Sequence, residues 1–177
     1  MKAIVAVDRN FAIGYRGNQL YTFSADRRFF MRKTLGHVIV AGRKTFATFP
    51  GGVALKGRQN VVLTKSRMLC LPGAEVFHSA EDALRYLKRF PSEEIYVVGG
   101  EAVYKSFLPY CDEAFVTWVD AEFEADTHFP DLDADPEWEL VWESGDMIAK
   151  DLRSNDPAVK DPVYRNRRYQ RRSGGVS

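Results

Sequence analysis

The chain has 177 residues, 45% of them hydrophobic and 28% charged, a composition that suits one globular domain with a sizeable core. Its formal net charge of +1 argues against a nucleic-acid or membrane partner. The two cysteines, Cys70 and Cys111, lack metal-ligand spacing, so we expect reduced thiols, no metal site and a cytoplasmic location.

Short apolar runs bounded by glycine, proline or charged residues predict the strands of an α/β fold. These runs are Lys2–Val7, His37–Ala41, Gln59–Leu63, Ala74–Phe77, Ile95–Val98 and Glu113–Val119. Helices are predicted between them at Ala25–Leu35, Arg43–Thr48, Ala80–Lys88 and Ala102–Leu108. The first run is too short for a signal sequence or a membrane span. The alternation of strands and helices indicates a single α/β domain with a largely parallel sheet.

The C-terminal third of the chain has a different pattern. Two late strands, at about Glu139–Ser144 and Val163–Arg172, are predicted to pair antiparallel and close one edge of the sheet. The polar segment 146–161 between them is predicted to be a loose loop. Five arginines in the last strand fit either a nucleic-acid strip or, as we favour, a charged edge strand that resists further pairing. We place the domain at residues 1–172 and a disordered tail at 173–177.

Asp26 is the most informative residue, because it is an acid in the first turn of a largely apolar predicted helix. Residues three and four apart share a helix face, so Asp26, Phe30 and Thr34 form one stripe of carboxylate, aromatic ring and hydroxyl. Such a stripe can bind the edge and face of a flat, basic heterocycle. The alternative is an acid that only favours the helix dipole, with Ser24 as the N-cap.

Two predicted strands end in glycine and are followed directly by helices. The first is Val38–Ala41 with Gly42, Arg43, Lys44 and Thr45 after it, and the second is Ile95–Val98 with Gly99 and Gly100 after it. Free backbone N–H groups at such turns favour phosphate, and glycines let a ligand approach the backbone. We therefore predict two anion sites that one dinucleotide could use. The alternative is a pair of ordinary strand–turn–helix joints with solvated basic residues.

Two further segments complete this pattern. The tetrapeptide Thr64-Lys65-Ser66-Arg67 follows a strand and could hold a ribose 2′-phosphate, which would favour NADPH over NADH, or it could be a plain polar turn. The glycine-bearing loop 12–21 lies between the first strand and the Asp26 helix, and it is a candidate lid.

Taken in order, these features resemble the dihydrofolate reductase family. The matching segments are Ile13-Gly14, Ala25-Asp26, Gly42-Arg43-Lys44-Thr45, Gly57-Arg58, Val98-Gly99-Gly100 with Val103-Tyr104, and Asp126-Thr127-His128-Phe129-Pro130. The resemblance implies a central eight-stranded, mostly parallel sheet with an antiparallel C-terminal edge and flanking helices. It also implies NADPH-dependent reduction of 7,8-dihydrofolate to 5,6,7,8-tetrahydrofolate, by hydride transfer to pterin C6 with protonation of N5.

The resemblance also implies the roles of individual residues. Asp26 would bind the 2-amino group and N3 of the pterin, Thr117 would support both Asp26 and the pterin, and Arg58 would pair with the glutamate carboxylate of the substrate. The remaining folate-pocket residues would be Ile4, Val5, Phe30, Thr34, Phe49, Leu55 and Val98. NADPH would contact Ala6, Ile13, Gly14, Asn18, Gly42, Arg43, Lys44, Thr45, Leu63, Thr64, Lys65, Gly99, Gly100, Glu101, Ala102, Val103 and Tyr104. A monomer is the default expectation.

The sequence departs from the family pattern just before the Asp26 helix. The family usually has Pro-Trp where this chain has Leu20-Tyr21, and the tryptophan helps to order water near the pterin, so Tyr21 is the candidate for that catalytic role. Asn166 falls where an apolar residue is usual. Two alternatives therefore stay open: a reductase of the riboflavin pathway or of another pteridine, and a relative that binds folate and NADPH without turnover.

Overall fold

The computed structural model describes residues 1–173, which form fourteen strands and four α-helices. The strands are β1 (Lys2–Val7), β2 (Ala12–Tyr15), β3 (Asn18–Gln19), β4 (Tyr21–Thr22), β5 (Val38–Gly42), β6 (Gln59–Leu63), β7 (Ala74–Phe77), β8 (Ile95–Gly99), β9 (Glu113–Val119), β10 (Thr127–His128), β11 (Trp138–Glu143), β12 (Met147–Ile148), β13 (Arg153–Ser154) and β14 (Val163–Arg171). The helices are α1 (Ser24–Thr34), α2 (Arg43–Ala47), α3 (Ala80–Leu87) and α4 (Glu101–Phe107).

The main sheet has the strand order β11-β14-β9-β1-β8-β5-β6-β7, with the short β12 also paired to β14. The pairs β1–β8, β8–β5, β5–β6 and β6–β7 are parallel, whereas β14 runs antiparallel to both β9 and β11. The prediction of a mostly parallel eight-stranded sheet with an antiparallel C-terminal edge is therefore confirmed. Among residues 1–173, no helix is long and apolar enough to cross a membrane.

Backbone contacts divide the chain into two compact units. The first unit comprises Met1–Ile4 and Phe30–Tyr110. Its parallel strands β5 and β8 are runs of mostly buried apolar residues, and β6 is buried at its three central positions, as expected for strands covered on both faces. Helix α3 begins at an N-cap, Ser79, whose side chain accepts a hydrogen bond from the backbone N–H of Asp82 at 3.1 Å.

The second unit comprises Val5–Phe29 and Cys111–Ser177. Its apolar cluster forms around Tyr21, Phe23 and Tyr164, with the rings of Phe23 and Tyr164 4.8 Å apart. A small sheet of β10, β2 and β3 turns the segment predicted as a lid into a hairpin. The predicted tail lies, apart from Ser173, outside the described residues.

Two predictions about the C-terminal third are wrong. The segment 146–161 is not a structureless loop, because β12 pairs with β14, and β13 pairs with β4 through Arg153 and Ser154. The last strand is not an edge strand, because β14 lies between β9 and β11. The pattern of polar and apolar residues could not reveal the central position of β14. A strand between two others can still carry charged residues where acidic side chains lie opposite them.

The four arginines of β14, and Arg172 directly after it, are each paired with a carboxylate. The shortest pairs are Arg165 with Asp146 at 2.5 Å, Arg167 with Glu143 at 2.5 Å, Arg168 with Glu113 at 2.6 Å, Arg171 with Glu137 at 3.1 Å and Arg172 with Glu139 at 3.8 Å. Arg167 also lies over the ring of Trp118, 4.6 Å from its centroid. Neighbouring acids thus balance the charge of this strand within the fold.

Candidate active site

The predicted site residues are distributed over both units. The second unit holds Val5, Ala6, Ile13, Gly14, Asn18, Tyr21, Asp26 and Thr117. The first unit holds the others: Ile4, Phe30, Thr34, Phe49, Leu55, Arg58, Leu63–Lys65, Val98, Gly42–Thr45 and Gly99–Tyr104. Each unit therefore holds its own set of predicted site residues.

In the second unit, Asp26 lies in the first turn of α1 and is hydrogen-bonded to Thr117 on β9. The Thr117 hydroxyl donates to Asp26 Oδ1 over 2.7 Å, and Thr117 itself is buried. Burial raises the pKa of the Asp26 carboxyl, while the Thr117 hydrogen bond and the charge of Arg27 lower it, and the net shift is upward. A partly buried carboxyl with a raised pKa is more typical of a functional site than of a surface helix cap.

The beginning of α1 corrects one prediction. Ser24 is the first residue of the helix and not its N-cap. Its backbone N–H donates to Asp151 Oδ1 at 3.2 Å, and its hydroxyl donates to Asp151 Oδ2. Asp151, from the segment 146–161, thus accepts the hydrogen bonds of the first residue of α1. Asp26 is therefore not needed to cap the helix.

Tyr21 is buried, and its hydroxyl is used by the backbone. It donates to the Val7 carbonyl at 2.9 Å, and the Thr117 carbonyl is 3.5 Å away. Burial, and then the charges of Asp26 and Asp8, raise the pKa of Tyr21 well above its ordinary value, so the hydroxyl stays protonated. The centroid of its ring lies 5.6 Å from that of the Phe123 ring, so the aromatic body is packed against a second ring.

In the first unit, Arg58 is held in a fixed orientation by α1 and by its own loop. Its guanidinium donates to Thr34 Oγ1 at 3.2 Å, to the Lys56 carbonyl at 2.7 Å and to the Met31 carbonyl at 2.5 Å. The Thr34 hydroxyl in turn donates to the Phe30 carbonyl at 2.8 Å. The Thr34 hydroxyl therefore helps to position Arg58. The sequence predicted only that Thr34 lies on the same helix face as Asp26 and Phe30. Partial burial lowers the pKa of Arg58 from its ordinary value.

Asn60 is a residue that the sequence analysis missed. It is buried within β6, where its carboxamide accepts from the Leu55 N–H at 3.0 Å and donates to the Leu55 carbonyl at 2.9 Å and the Arg58 carbonyl at 3.0 Å. It thus fixes the loop that carries two predicted substrate residues. The available signal was a polar residue in a strand of buried aliphatic residues.

The two glycine turns pack against each other in the first unit. A Cβ on Gly42 would come within 3.3 Å of Val103 Cγ2, and one on Gly100 within 3.3 Å of Thr45 Oγ1. Gly99 has φ +122°, and its peptide bond to Gly100 is cis. The adjacent parallel strands β5 and β8 bring both turns to one sheet edge, where the glycines carry no side chains and a pyrophosphate could contact backbone. These residues therefore fit a dinucleotide.

Other predicted cofactor residues have structural partners. The Tyr104 hydroxyl donates to the Ile4 carbonyl at 2.7 Å, and Thr64 Oγ1 accepts from the Ser66 N–H at 3.1 Å. Arg43 and Lys65 are exposed cations that follow adjacent parallel strands, β5 and β6. In the second unit, a Cβ on Gly14 would lie 2.6 Å from Thr127 Oγ1, so packing of β2 against β10 already requires that glycine.

The comparisons with known proteins place the chain in a family. The family model described as dihydrofolate reductase matches residues 1–156. The chain belongs to the dihydrofolate reductase family. Members of this family are NADPH-dependent oxidoreductases, so the predicted enzyme class and cofactor are confirmed at this level.

Relatives in the dihydrofolate reductase family cover most of the chain. The dihydrofolate reductase of Staphylococcus haemolyticus is 35% identical over 142 residues, 80% of this chain and 83% of its own length. That of Bacillus subtilis (strain 168) is 36% identical over 151 residues, 85% of this chain and 86% of its own. A solved structure of dihydrofolate reductase from Enterococcus faecalis, complexed with NADP(H) and RAB-propyl, superimposes with a TM-score of 0.80 at 30% identity, covering 97% of this chain and 96% of that one.

Proposed function

We propose that this chain reduces 7,8-dihydrofolate to 5,6,7,8-tetrahydrofolate with NADPH as the reductant. The observation that carries the proposal is the carboxyl of Asp26, held by the buried Thr117 hydroxyl at 2.7 Å. The pterin ring offers two adjacent donors, the 2-amino group and N3, which one carboxylate can accept together. A carboxylate has about four lone-pair sites, so Asp26 can keep its bond from Thr117 while it binds the pterin.

The role we propose for Asp26 is electrostatic. Its charge is less screened than that of a surface acid because the carboxyl is partly buried, and a nearby negative charge favours protonation of the bound pterin. The proton would reach N5 through water. Thr117 keeps one carboxylate oxygen in a fixed direction, which orients the substrate relative to the protein.

Tyr21 would act mainly through its ring in this scheme. Its hydroxyl is already bonded to the Val7 carbonyl at 2.9 Å, so the aromatic body bounds the site and limits the entry of water. The family's tryptophan has a similar shape, and for this reason we treat the Leu20-Tyr21 pair as a tuning change rather than as a loss of catalysis.

For the cofactor, we propose the residues of the two glycine turns. Gly42, Gly99 and Gly100 would let the pyrophosphate approach the backbone, while Arg43, Lys44, Thr45 and Lys65 would supply charge and hydrogen-bond donors for phosphate groups. When bound, NADPH supplies a hydride, which the pterin receives at C6. The preference for NADPH over NADH would come from Lys65 and Thr64 beside the ribose 2′-phosphate.

Arg58 would bind the glutamate carboxylate of the substrate. Its guanidinium plane is fixed by Thr34, Lys56 and Met31, so its charge is presented in one orientation and can form a paired hydrogen bond with a carboxylate. The glutamate carboxylate of dihydrofolate matches that geometry. Folate itself, rather than a bare pterin, is therefore the substrate we expect.

The deciding experiment follows the loss of NADPH absorbance with purified protein and dihydrofolate, with NADH as the comparison. We expect turnover that prefers NADPH, and we expect Asp26→Asn to lower kcat about 100-fold or more while NADPH binding stays nearly unchanged. The exposed Glu75→Gln makes the same carboxylate-to-amide change on β7 and should leave kcat unaltered. Turnover of another pteridine only, or NADPH and folate binding without turnover, would each contradict the proposal.

A further inference from the structure

The Thr117 hydroxyl lies between the Asp26 carboxyl and a second polar side chain, Asn166. Asn166 on β14 is the direct cross-strand neighbour of Thr117 on β9, so the two side chains project from the same face of the sheet. Thr117 Oγ1 is 2.7 Å from Asp26 Oδ1 and 3.4 Å from Asn166 Oδ1. The proposed function gives Asn166 no role, although it stands close to the acid.

Counting protons decides how these three groups can be bonded. A hydroxyl has one proton and two lone pairs, so Thr117 can donate to Asp26 or to Asn166 but not to both. The shorter distance and the negative charge commit that proton to Asp26. The side of Thr117 Oγ1 that faces Asn166 then carries only a lone pair. If the Asn166 carboxamide oxygen pointed at this lone pair, two acceptors would face each other with no proton between them. A half-turn of the carboxamide puts its N–H donor there instead.

We infer that Asn166 is a positioning residue for the active-site acid: its amide N–H donates to Thr117 Oγ1 and so commits the Thr117 proton to Asp26. The result is a chain of donors that runs from Asn166 through Thr117 to the carboxylate. Hydrogen bonds arranged in series polarise one another and favour the ionised acceptor at the end. The role of this hydrogen-bond series in catalysis rests on the proposed function, whereas the hydrogen bonds themselves do not depend on it.

The backbone of Asn166 is held in place for this task. Its N–H donates to Ser144 Oγ at 2.9 Å, and the Ser144 N–H donates to the Asn166 carbonyl at 2.9 Å. Ser144 directly follows β11, beyond the register shift between Leu140 and Trp142. With both backbone groups bonded, the residue is fixed beside Thr117, while its carboxamide remains able to turn.

The other groups that influence Asp26 are identifiable and are left intact by changes at Asn166. Arg27, the next residue on α1, lowers the pKa of the Asp26 carboxyl through its charge. Tyr21 and Tyr164, from β4 and β14, are neutral neighbours whose own pKa values are raised by burial and then by Asp26. A change at Asn166 removes none of these groups, so a shift in the Asp26 titration would not come from their loss.

The test is the titration of the Asp26 carboxyl in the unliganded, full-length protein, followed by carbon NMR of labelled aspartate. We expect Asn166→Leu to move the midpoint to higher pH, because the donor chain loses its first member. The opposite role, an Asn166 oxygen that competes for the Thr117 proton, predicts a midpoint at lower pH. A lower or an unchanged midpoint would overturn the inference, and Asn166→Ala provides the same reading if the leucine variant folds poorly.

A double-mutant cycle shows whether the effect passes through the hydroxyl. In a Thr117→Val background, Asn166→Leu should change the Asp26 midpoint no further, whereas an additive shift would contradict the relay. Gln170→Leu removes an exposed amide four residues along β14 and should leave the midpoint unchanged. A loss of fold affecting all residues would instead move the other aspartates as well.

A second measurement uses a cationic 2,4-diaminopyrimidine, which binds best when Asp26 is ionised. At a pH near the Asp26 midpoint we expect Asn166→Leu to weaken its affinity about 2- to 10-fold, the equivalent of one neutral hydrogen bond. Equal affinity for both proteins at that pH would oppose the inference. If the Asp26 midpoint shifts as expected but the protein does not turn over dihydrofolate, the proposed function fails and the positioning role stands.

Discussion

Replacing Tyr21 by phenylalanine separates the two things that a buried tyrosine can do. The hydroxyl donates to the Val7 carbonyl at 2.9 Å, and the ring packs 5.9 Å from Phe23 and 5.6 Å from Phe123. Tyr21→Phe removes the hydrogen bond but keeps the ring and its contacts. We expect a less stable protein whose catalysis is nearly normal, because the lost proton is bonded to the backbone rather than to a ligand.

The size of the effect follows from the number of bonds lost. One neutral hydrogen bond contributes a net stabilisation of about 1 kcal/mol. For a chain of this length, that corresponds to a fall of about 2–4 °C in the midpoint of thermal unfolding. The kcat for dihydrofolate should change by less than about threefold, since the hydroxyl makes no contact that strengthens in the transition state.

The assay pairs urea unfolding, followed by circular dichroism, with steady-state kinetics of NADPH oxidation. Tyr164→Phe is the matched control, because its ring packs in the same apolar cluster and, among residues 1–173, no hydrogen bond is found for its hydroxyl. It should lose less stability than Tyr21→Phe. A tenfold or larger fall in kcat with unchanged unfolding would refute the reasoning and assign the Tyr21 hydroxyl to the chemistry.

Three further changes test the rest of the site. Gly100→Ala places a Cβ 3.3 Å from Thr45 Oγ1 and should weaken NADPH binding by about tenfold, measured by fluorescence quenching, whereas Gly145→Ala enters open space and should bind normally. Asn60→Ala breaks three hydrogen bonds to the preceding loop and should lower the free energy of unfolding by about 2–4 kcal/mol while raising KM for dihydrofolate more than it lowers kcat. Asp26→Asn should unfold at higher urea concentration than the natural protein at neutral pH: the folded-state pKa of the acid is raised, so its stabilisation is present below the unfolded-state pKa and lost as pH rises through the folded-state pKa. Equal urea midpoints for Asp26→Asn and the natural protein at pH 7 would contradict this last expectation.

Much of the fold could be predicted from local pattern. Strands β1, β6, β7 and β9 occur at the predicted bounds, and each predicted helix occurs within one residue at either end. These elements are bounded by glycine, proline or charge, and their apolar period is set by the backbone geometry of a strand or helix. The glycine turns after β5 and β8 were predictable for the same reason, since they lie directly beside strongly patterned strands.

The errors occur where partners lie far away in sequence. Segment 146–161 is polar and has no period, yet Arg153 and Ser154 pair with Thr22 and Tyr21 more than 100 residues earlier. No local rule identifies such pairing, because the free energy comes from hydrogen bonds that exist only once both segments are in place. The prediction that the arginine-rich β14 is an edge strand is wrong for a similar reason, because its acidic partners, Glu113 and those between Asp133 and Asp146, come from other stretches of chain.

The sequence by itself determined which chemistry the site could hold, and the tertiary structure decided how each group is used. Asp26, Arg58 and the glycines could be singled out because their residue types are unusual in their local pattern. Only the folded chain shows that the Thr34 hydroxyl accepts a hydrogen bond from Arg58 and that the Tyr21 hydroxyl donates to the Val7 carbonyl. It also shows that Asn166 pairs with Thr117 across the sheet. A side chain's type fixes how many hydrogen bonds it can make, but only the packing of distant segments brings the partners within hydrogen-bonding distance.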